Sequence, residues 1–225
     1  MAERILMNEF KALQKEKWVT VELKNDDIFN WNIALIVLNP DSLYYGGYFR
    51  AVMNFPSNYP YSPPGFKFVP PLYHPNIYVD GQLCISILHN PGDDELSGET
   101  AAERWSPAQR VESVLISILS LLDDAEVSSP ANVDAGVLLR QDPEKYKKRV
   151  QQDVEVSKKD IPEDFIMPTH ESTKQAEKPD DNDFWIDSDG GEDYDDDIFG
   201  GSDSDEDMNT DDHDTGSEEE YEDKA

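Results

Sequence analysis

Charge is divided very unevenly along this chain, and the division limits where a fold can form. Residues 1–170 carry 25 acids and 16 bases, a net charge of −9, whereas residues 171–225 carry 24 acids and 3 bases, a net charge of −21. The second segment is also poor in aliphatic side chains, so it cannot bury enough apolar surface to offset the entropy lost on ordering. We therefore expect one globular domain over residues 1–170 and a disordered acidic tail over residues 171–225.

Hydrophobic periodicity predicts an α+β architecture for the domain. Apolar residues at helical spacing predict a first helix over residues 2–16, and short connections between apolar runs favour an antiparallel meander. Residues 69–92 contain too many prolines for a central strand, so we expect them to be irregular, with one helical turn near Cys84. The four predicted strands begin near Val19, Trp31, Tyr48 and Phe66.

Three further helices are predicted after that irregular stretch. Ser106 is expected to cap the first of them, with Pro107 at its first position and Gln109 completing a capping box. The same order of a capping residue followed by proline predicts helix starts at Ser129 and Asp142. The domain is therefore expected to be a four-stranded antiparallel sheet with one helix before it and three after it.

Composition argues against several classes of protein. Cys84 is the only cysteine, which rules out an intramolecular disulfide and a multi-cysteine metal site. The apolar stretch from Val114 is too short to span a bilayer, and the first residues lack the apolar region of a signal peptide. We therefore expect no membrane contact and a reducing compartment, the cytoplasm, the nucleus or both. The strong negative charge argues against nucleic acid and favours a basic protein partner.

The functional interpretation depends on Cys84. It lies in a short apolar run, where a lone cysteine usually packs, but the run belongs to a long loop with tight turns, where function is common. A thiolate accepts an acyl group as a thioester without a metal. A cysteine hydrolase would use His74 or His89 as its base and Asn76 as an orienting residue. Hydrolase histidines, however, usually lie far from the cysteine in sequence.

Several motifs together resemble the ubiquitin-conjugating enzyme family over nearly all of residues 2–160. They are HPN at residues 74–76, a cysteine eight residues after its asparagine, YPYSPP from Tyr59, WSP from Trp105 and SPAN from Ser129. Within that family the chain is most similar to the subgroup that serves SCF-type cullin–RING ligases in the cell cycle. That subgroup has an acidic insertion after the active site and an acidic C-terminal extension. The insertion of this chain covers about residues 90–104.

The resemblance implies roles for the residues around the cysteine. Cys84 would receive ubiquitin from an activating enzyme and hold it as a thioester until a lysine attacks. The activating enzyme uses ATP, so no cofactor and no metal bound to this chain are implied. Asn76 would either donate a hydrogen bond to the oxyanion, worth roughly 3–4 kcal/mol, or brace the loop. Tyr78 would lie beside the thiol or simply pack, and His74 would shape the turn. Three serines stand where many members have other residues and would support the site: Ser62, Ser86 and Ser129.

The resemblance also implies surfaces for protein partners. The acids of the insertion would orient an incoming ubiquitin lysine, or would form only a solvated loop: Asp93, Asp94, Glu95, Glu99 and Glu103. A RING domain would contact Tyr61, Ser106, Pro107 and Ala108, and the activating enzyme would contact the first helix. The tail, whose acids are interrupted by aromatic residues, would dock on a basic cullin surface, although ballast and solubility are alternatives.

Two other functions stay open from the sequence. The chain would be a non-enzymatic acidic binding module, such as a chaperone for basic proteins, if the tail carried the function. It would conjugate another ubiquitin-like modifier if the same chemistry served a different partner. The cysteine and the HPN turn argue against the first of these. Only the resemblance, through the acidic loop and tail, favours ubiquitin over the second.

Overall fold

The computed structural model describes residues 1–92 and 98–169, and within them four α-helices and a four-stranded antiparallel sheet share one hydrophobic core. The predicted α+β architecture is confirmed. The predicted acidic tail over residues 171–225 lies outside the described residues. The first three acids of the predicted acidic loop, Asp93, Asp94 and Glu95, lie outside them as well.

The sheet is the meander that the sequence predicts. Its spatial order follows the chain, and each strand pairs antiparallel with the next. Asn25 and Asp26 join the first two strands, and both have positive φ angles, of 56° and 59°. Asn and Asp tolerate this conformation better than most residues, which explains the tight turn. The strands are β1 (Val19–Lys24), β2 (Asp27–Ile36), β3 (Tyr48–Asn54) and β4 (Gly65–Phe68).

One helix precedes the sheet and three follow it, as predicted. The helices are α1 (Ala2–Leu13), α2 (Val111–Asp123), α3 (Val133–Gln141) and α4 (Pro143–Ser157). Two short 3-10 helices cover Ser86–Leu88 and Lys158–Asp160, and the first of them is the helical turn expected near Cys84. Helix α4 begins where predicted, because the Asp142 side chain accepts a hydrogen bond from the Lys145 amide and Pro143 takes the first position.

The predicted start of α2 at Ser106 is wrong. Residues 106–109 form a separate turn, in which the Gln109 amide donates to the Ser106 carbonyl over 3.0 Å. The helix begins at Val111, whose amide donates to a carboxylate oxygen of Glu9 over 2.6 Å. A side chain from α1 therefore binds an N-terminal amide of α2. A local contact also caps the helix, because the Arg110 amide donates to the Ser113 hydroxyl over 3.0 Å.

The predicted start of α3 at Ser129 is also wrong. The Asn132 side chain is the cap, because it accepts a hydrogen bond from the Ala135 amide over 3.1 Å, and the helix begins at Val133. Ser129 lies before the helix in an irregular segment. That segment is anchored by a different contact, because the Asn132 amide at its end donates to the Pro75 carbonyl over 2.8 Å.

Aromatic packing around Trp31 forms the centre of the core. Its ring contacts Phe10 of α1 at 5.3 Å between centroids and Phe55 at 4.7 Å. Residues alternate along β2, so Trp31, Ile33 and Leu35 face this core while Ala34 and Ile36 belong to a smaller cluster. The smaller cluster also contains Tyr48 and is packed by four partly buried side chains, Leu38, Ile161, Phe165 and Met167. The second half of β2, residues 33–36, is therefore apolar on both faces.

His74 is a fully buried residue just before the loop that carries the cysteine. Its Nδ1 atom accepts a hydrogen bond from the Asn76 amide over 3.0 Å, and its ring packs near Tyr44. Burial lowers the pKa of His74 to about 4, and a weak interaction with the Leu121 backbone only partly opposes this. Because Nδ1 is an acceptor, the neutral ring carries its proton on Nε2. His74 therefore shapes the turn as a neutral group.

We expect His74 to make stability depend on pH. The unfolded chain binds the proton with an ordinary pKa of 6.5 and the folded chain with a pKa of about 4, so stabilisation is complete above pH 6.5 and is lost as pH falls towards 4. Between pH 7.5 and pH 5.0, the free energy of unfolding of the wild type should fall by roughly 2 kcal/mol more than that of His74→Asn. Urea titrations measure this difference, and parallel pH profiles of the two proteins would contradict it.

Candidate active site

A short hairpin carries the cysteine. The Cys84 amide donates to the Asn76 carbonyl over 2.9 Å, and the Tyr78 amide donates to the Gln82 carbonyl over 2.8 Å. The turn between them closes where the Gly81 amide donates to the Tyr78 carbonyl over 2.8 Å. The spacing of eight residues between the asparagine and the cysteine is therefore the spacing that places them opposite each other across a hairpin.

Gly81 holds this hairpin against strand β4. Its φ angle is +94°, and a Cβ atom at this position would lie 2.2 Å from the Phe68 carbonyl oxygen. The Phe68 amide donates to the Gly81 carbonyl over 2.9 Å, and Lys67 and Gln82 form an antiparallel bridge. Any other residue at position 81 would be strained and would push the hairpin away from the sheet.

Asn76, Tyr78 and Cys84 share one face of the hairpin. Asn76 and Cys84 are direct partners, and Tyr78 lies two residues further along the first strand, so alternation places all three side chains on the same side. The electrostatic interaction with Cys84 raises the pKa of Tyr78, and a side-chain hydrogen bond with Cys84 adds to this shift. Tyr78 is 43% exposed. Its hydroxyl is the kind of group that can donate to a sulfur atom.

The Asn76 amide braces the loop. It is 3% exposed, its Nδ2 atom donates to the Glu126 carbonyl over 2.9 Å, and its Oδ1 atom accepts from the Glu126 amide over 2.9 Å. Of the two roles that the resemblance implies for Asn76, this geometry supports bracing. The oxyanion role stays a hypothesis.

The segment between α2 and α3 is tied to the hairpin at two points. Glu126 is held by the Asn76 side chain, and Asn132 by the Pro75 carbonyl. Ser129 lies between these anchors and is exposed. The structure therefore brings the segment that carries Ser129 to the HPN turn, although no contact between Ser129 and Cys84 is found among the described residues.

The other two serines lie in different places. Ser86 begins the 3-10 helix two residues after Cys84, is half-buried, and accepts a hydrogen bond from the His89 amide at its carbonyl. The side chain of Ser62 accepts a hydrogen bond from Asn58 over 2.7 Å. Ser62 therefore belongs to the loop of Tyr61, and its described contact is with that loop.

The predicted RING-contact residues are brought together by Trp105. Its indole nitrogen donates to the Pro60 carbonyl over 2.7 Å, which joins the loop of Tyr61 to the turn that follows Trp105. Glu9 reinforces this arrangement, because its carboxylate also accepts a hydrogen bond from Tyr59 over 2.9 Å. Tyr61 is 62% exposed. Ser106 is half-buried, and Pro107 and Ala108 are exposed.

The two described acids of the acidic loop are both hydrogen-bonded. Glu99 pairs with His89 and with Arg104, at 2.8 Å and 3.0 Å. Glu103 accepts hydrogen bonds from the amide and the hydroxyl of Thr100, and these lower its pKa. Sequence reasoning considered His89 only as a hydrolase base and did not consider Arg104. The sequence did contain a signal for both residues, because His89 and Arg104 flank the run of acids in the loop.

Residues 1–92 and 98–169 contain neither a candidate metal site nor a helix suited to crossing a membrane. No group of three or more His, Cys, Asp or Glu side chains there could hold a metal ion. Nor is any helix of those residues long and apolar enough to cross a membrane.

Comparison with known proteins identifies the family. The model of the ubiquitin-conjugating enzyme family matches residues 5–154. Ubiquitin-conjugating enzyme E2-34 kDa of Saccharomyces cerevisiae is 51% identical over 202 residues, which cover 84% of this chain and 68% of that protein. Ubiquitin-conjugating enzyme E2 15 of Schizosaccharomyces pombe is 43% identical over 152 residues, which cover 66% of this chain and 90% of that protein.

A plant relative agrees with the two yeast proteins. Ubiquitin-conjugating enzyme E2 13 of Arabidopsis thaliana is 49% identical over 130 residues, which cover 58% of this chain and 76% of that protein. The family match covers the sheet, the hairpin of Cys84 and all four helices except the first three residues of α1 and the last three of α4. This chain therefore belongs to the ubiquitin-conjugating enzyme family, whose partners are ubiquitin and its activating enzyme.

Proposed function

We propose that Cys84 accepts ubiquitin from the activating enzyme as a thioester and transfers it to lysine amines of substrates or of ubiquitin itself. The observation that carries this proposal is the hairpin face. It places the only cysteine of the chain beside the Tyr78 hydroxyl and opposite the braced Asn76. Cys84 is a free thiol and is half-buried, so it is held in place and still reachable.

The two transfers balance without a metal or a bound cofactor. In the first, the Cys84 thiolate attacks the ubiquitin thioester carbonyl on the activating enzyme, and that enzyme's thiolate leaves. In the second, a neutral lysine amine attacks the new thioester, the amide bond forms, the Cys84 thiolate leaves, and the amine loses a proton. Tyr78 supports both steps, because its hydroxyl can donate to the Cys84 sulfur whenever the sulfur carries charge. ATP is needed only by the activating enzyme.

The acids of the loop act by orienting the acceptor lysine. A lysine has a reference pKa of about 10.4, so neutralising it near pH 7.4 costs roughly 4 kcal/mol. Nearby carboxylates raise that pKa and therefore cannot help by lowering it. Holding the acceptor lysine in line with the thioester can supply several kcal/mol instead. We infer that the loop orients an incoming ubiquitin and so favours chain extension.

Two surfaces support a cullin–RING ligase of the SCF type as the partner, in protein degradation during the cell cycle. The exposed residues around Tyr61 and Pro107, joined through Trp105, offer a RING domain one continuous contact area. The tail carries a net charge of −21, which suits a basic cullin surface and would speed association. With such partners, we propose that the protein works in the cytoplasm and the nucleus.

The decisive experiment tests whether ubiquitin can be loaded onto Cys84. We expect the protein, incubated with activating enzyme, ATP and ubiquitin, to form an adduct that a thiol reductant removes. Cys84→Ala should form none, and Cys84→Ser should form none or an ester that resists thiols. Gel analysis with and without reductant measures this. An absent wild-type adduct would leave a non-enzymatic binding module, and loading only with another ubiquitin-like protein would change the modifier.

The loop makes a second prediction. Changing its five acids to Asn or Gln should slow ubiquitin–ubiquitin bond formation far more than discharge of the thioester to a small free amine, because only a protein acceptor needs to be oriented. Single-turnover discharge of preformed thioester measures both rates. Equal slowing of the two reactions would refute the role of the loop in orientation.

The tail makes a third prediction. The association rate of the full-length protein with its ligase should fall steeply as salt rises, because the Debye length is only about 8 Å at physiological ionic strength. A variant with the acids of residues 171–225 changed to Asn or Gln should associate more slowly and respond less to salt. Stopped-flow fluorescence gives both rates. A rate for the full-length protein that salt leaves unchanged would contradict tail docking.

A further inference from the structure

We propose that His89, Glu99 and Arg104 form a clamp that positions the acidic insertion beside the active-site cysteine, with His89 and Arg104 as positioning residues for chain extension. This inference rests on the function proposed for Cys84 and the loop. It also changes the role of Glu99, which acts through Arg104 and His89 and does not contact the incoming lysine.

The clamp joins the two ends of the insertion. Glu99 Oε2 lies 2.8 Å from His89 Nδ1 and 3.0 Å from Arg104 Nε. Arg104 also donates to the Asn90 carbonyl over 3.3 Å, and the Trp105 amide donates to the His89 carbonyl over 3.2 Å. Residues 89–90 and 104–105 are therefore held side by side, and Glu99 is bound at the base that they form.

Burial makes the clamp stronger than an ordinary surface ion pair. The Arg104 side chain is 12% exposed and that of Glu99 23% exposed, whereas the two side chains of the surface pair between Lys67 and Asp80 are at least 40% exposed. Partly desolvated charges interact more strongly and are screened less by salt than exposed ones. Charge-assisted hydrogen bonds of this length also restrict the geometry of the partners.

The clamp lies one short helix away from the thiol. The 3-10 helix Ser86–Leu88 separates Cys84 from His89, and the His89 amide donates to the Ser86 carbonyl over 2.8 Å. The base of the insertion is therefore fixed to the same rigid unit as the thioester. An insertion anchored at its base can hold an acceptor protein at a defined place. An insertion without this anchor would move relative to the thioester and would position the acceptor less well.

The test separates acceptor binding from chemistry. Each protein is charged with ubiquitin, and the rate of diubiquitin formation is measured against the concentration of acceptor ubiquitin. We expect Arg104→Met and His89→Gln to raise the KM for acceptor ubiquitin by about fivefold or more, with kcat changed by less than about twofold. Thioester formation and discharge to hydroxylamine should match the wild type. Arg104→Lys, which keeps the charge, should lie between Arg104→Met and the wild type.

Two controls make the result specific. Arg50→Met removes an arginine–aspartate pair with Asp160, which is not part of the insertion, and should leave the KM unchanged. The double variant Glu99→Gln, Arg104→Met should raise the KM for acceptor ubiquitin no more than the more severe of its two single variants does. Substitutions of residues that act as one unit have effects that are not additive.

The outcomes separate the clamp from the function that it serves. A wild-type protein that forms no thioester overturns the proposed function itself. A normal thioester with a KM for Arg104→Met within about twofold of the wild type overturns the clamp alone. The clamp is also overturned if the increases in KM of the two single variants multiply in the double variant. Glu99 would then act on the acceptor ubiquitin independently of Arg104.

Discussion

The active-site region depends on the paired hydrogen bonds between the Asn76 side chain and the Glu126 backbone. Both lengths are 2.9 Å, and Asn76 is almost wholly buried. They join the cysteine hairpin to the segment after α2, and the hydrogen bond from the Asn132 amide to the Pro75 carbonyl joins the same two parts of the chain. Leaving such a buried amide without a partner costs about 1–3 kcal/mol, so this one side chain holds two irregular segments in register. A hydrophobic residue there could fill the space but could not join them.

The hairpin also explains how a thiol in an apolar run becomes usable. Leu83 and Ile85, beside the cysteine, pack against the core and anchor the strand, while Gly81 keeps the turn pressed against β4. The Cys84 side chain is then on the face shared with Tyr78. In the reaction proposed for Cys84, a hydroxyl on this face would stabilise the sulfur both as nucleophile and as leaving group. His74, by contrast, is buried and neutral, so its contribution is to the shape of the turn.

Sequence patterns predicted the elements that depend on local periodicity and missed those that depend on distant partners. The alternation of β1 and the helical spacing of α1 and α2 are local properties, and these elements were found. The observed start of α2 has a distant partner and a local one: Glu9, about a hundred residues earlier, binds the Val111 amide, and Ser113 binds the Arg110 amide. The link from Asn76 to Glu126 could not be foreseen for the same reason. Resemblance to a family supplied the pairing of Asn76 with Cys84, which composition alone leaves open.

The arrangement of charge then follows from the chemistry of the acceptor. A lysine surrounded by carboxylates becomes harder to deprotonate, so an acidic insertion next to a thioester is useful only if its charges are fixed where they guide a protein and do not crowd the amine. Pairing Glu99 with Arg104 neutralises part of that charge, and the contact of Glu99 with His89 joins it to the residue that follows the 3-10 helix Ser86–Leu88. The remaining acids can attract a basic surface on the incoming protein from further away. In the proposed clamp, the insertion is compatible with lysine attack because the Arg104 guanidinium offsets the Glu99 carboxylate at its base.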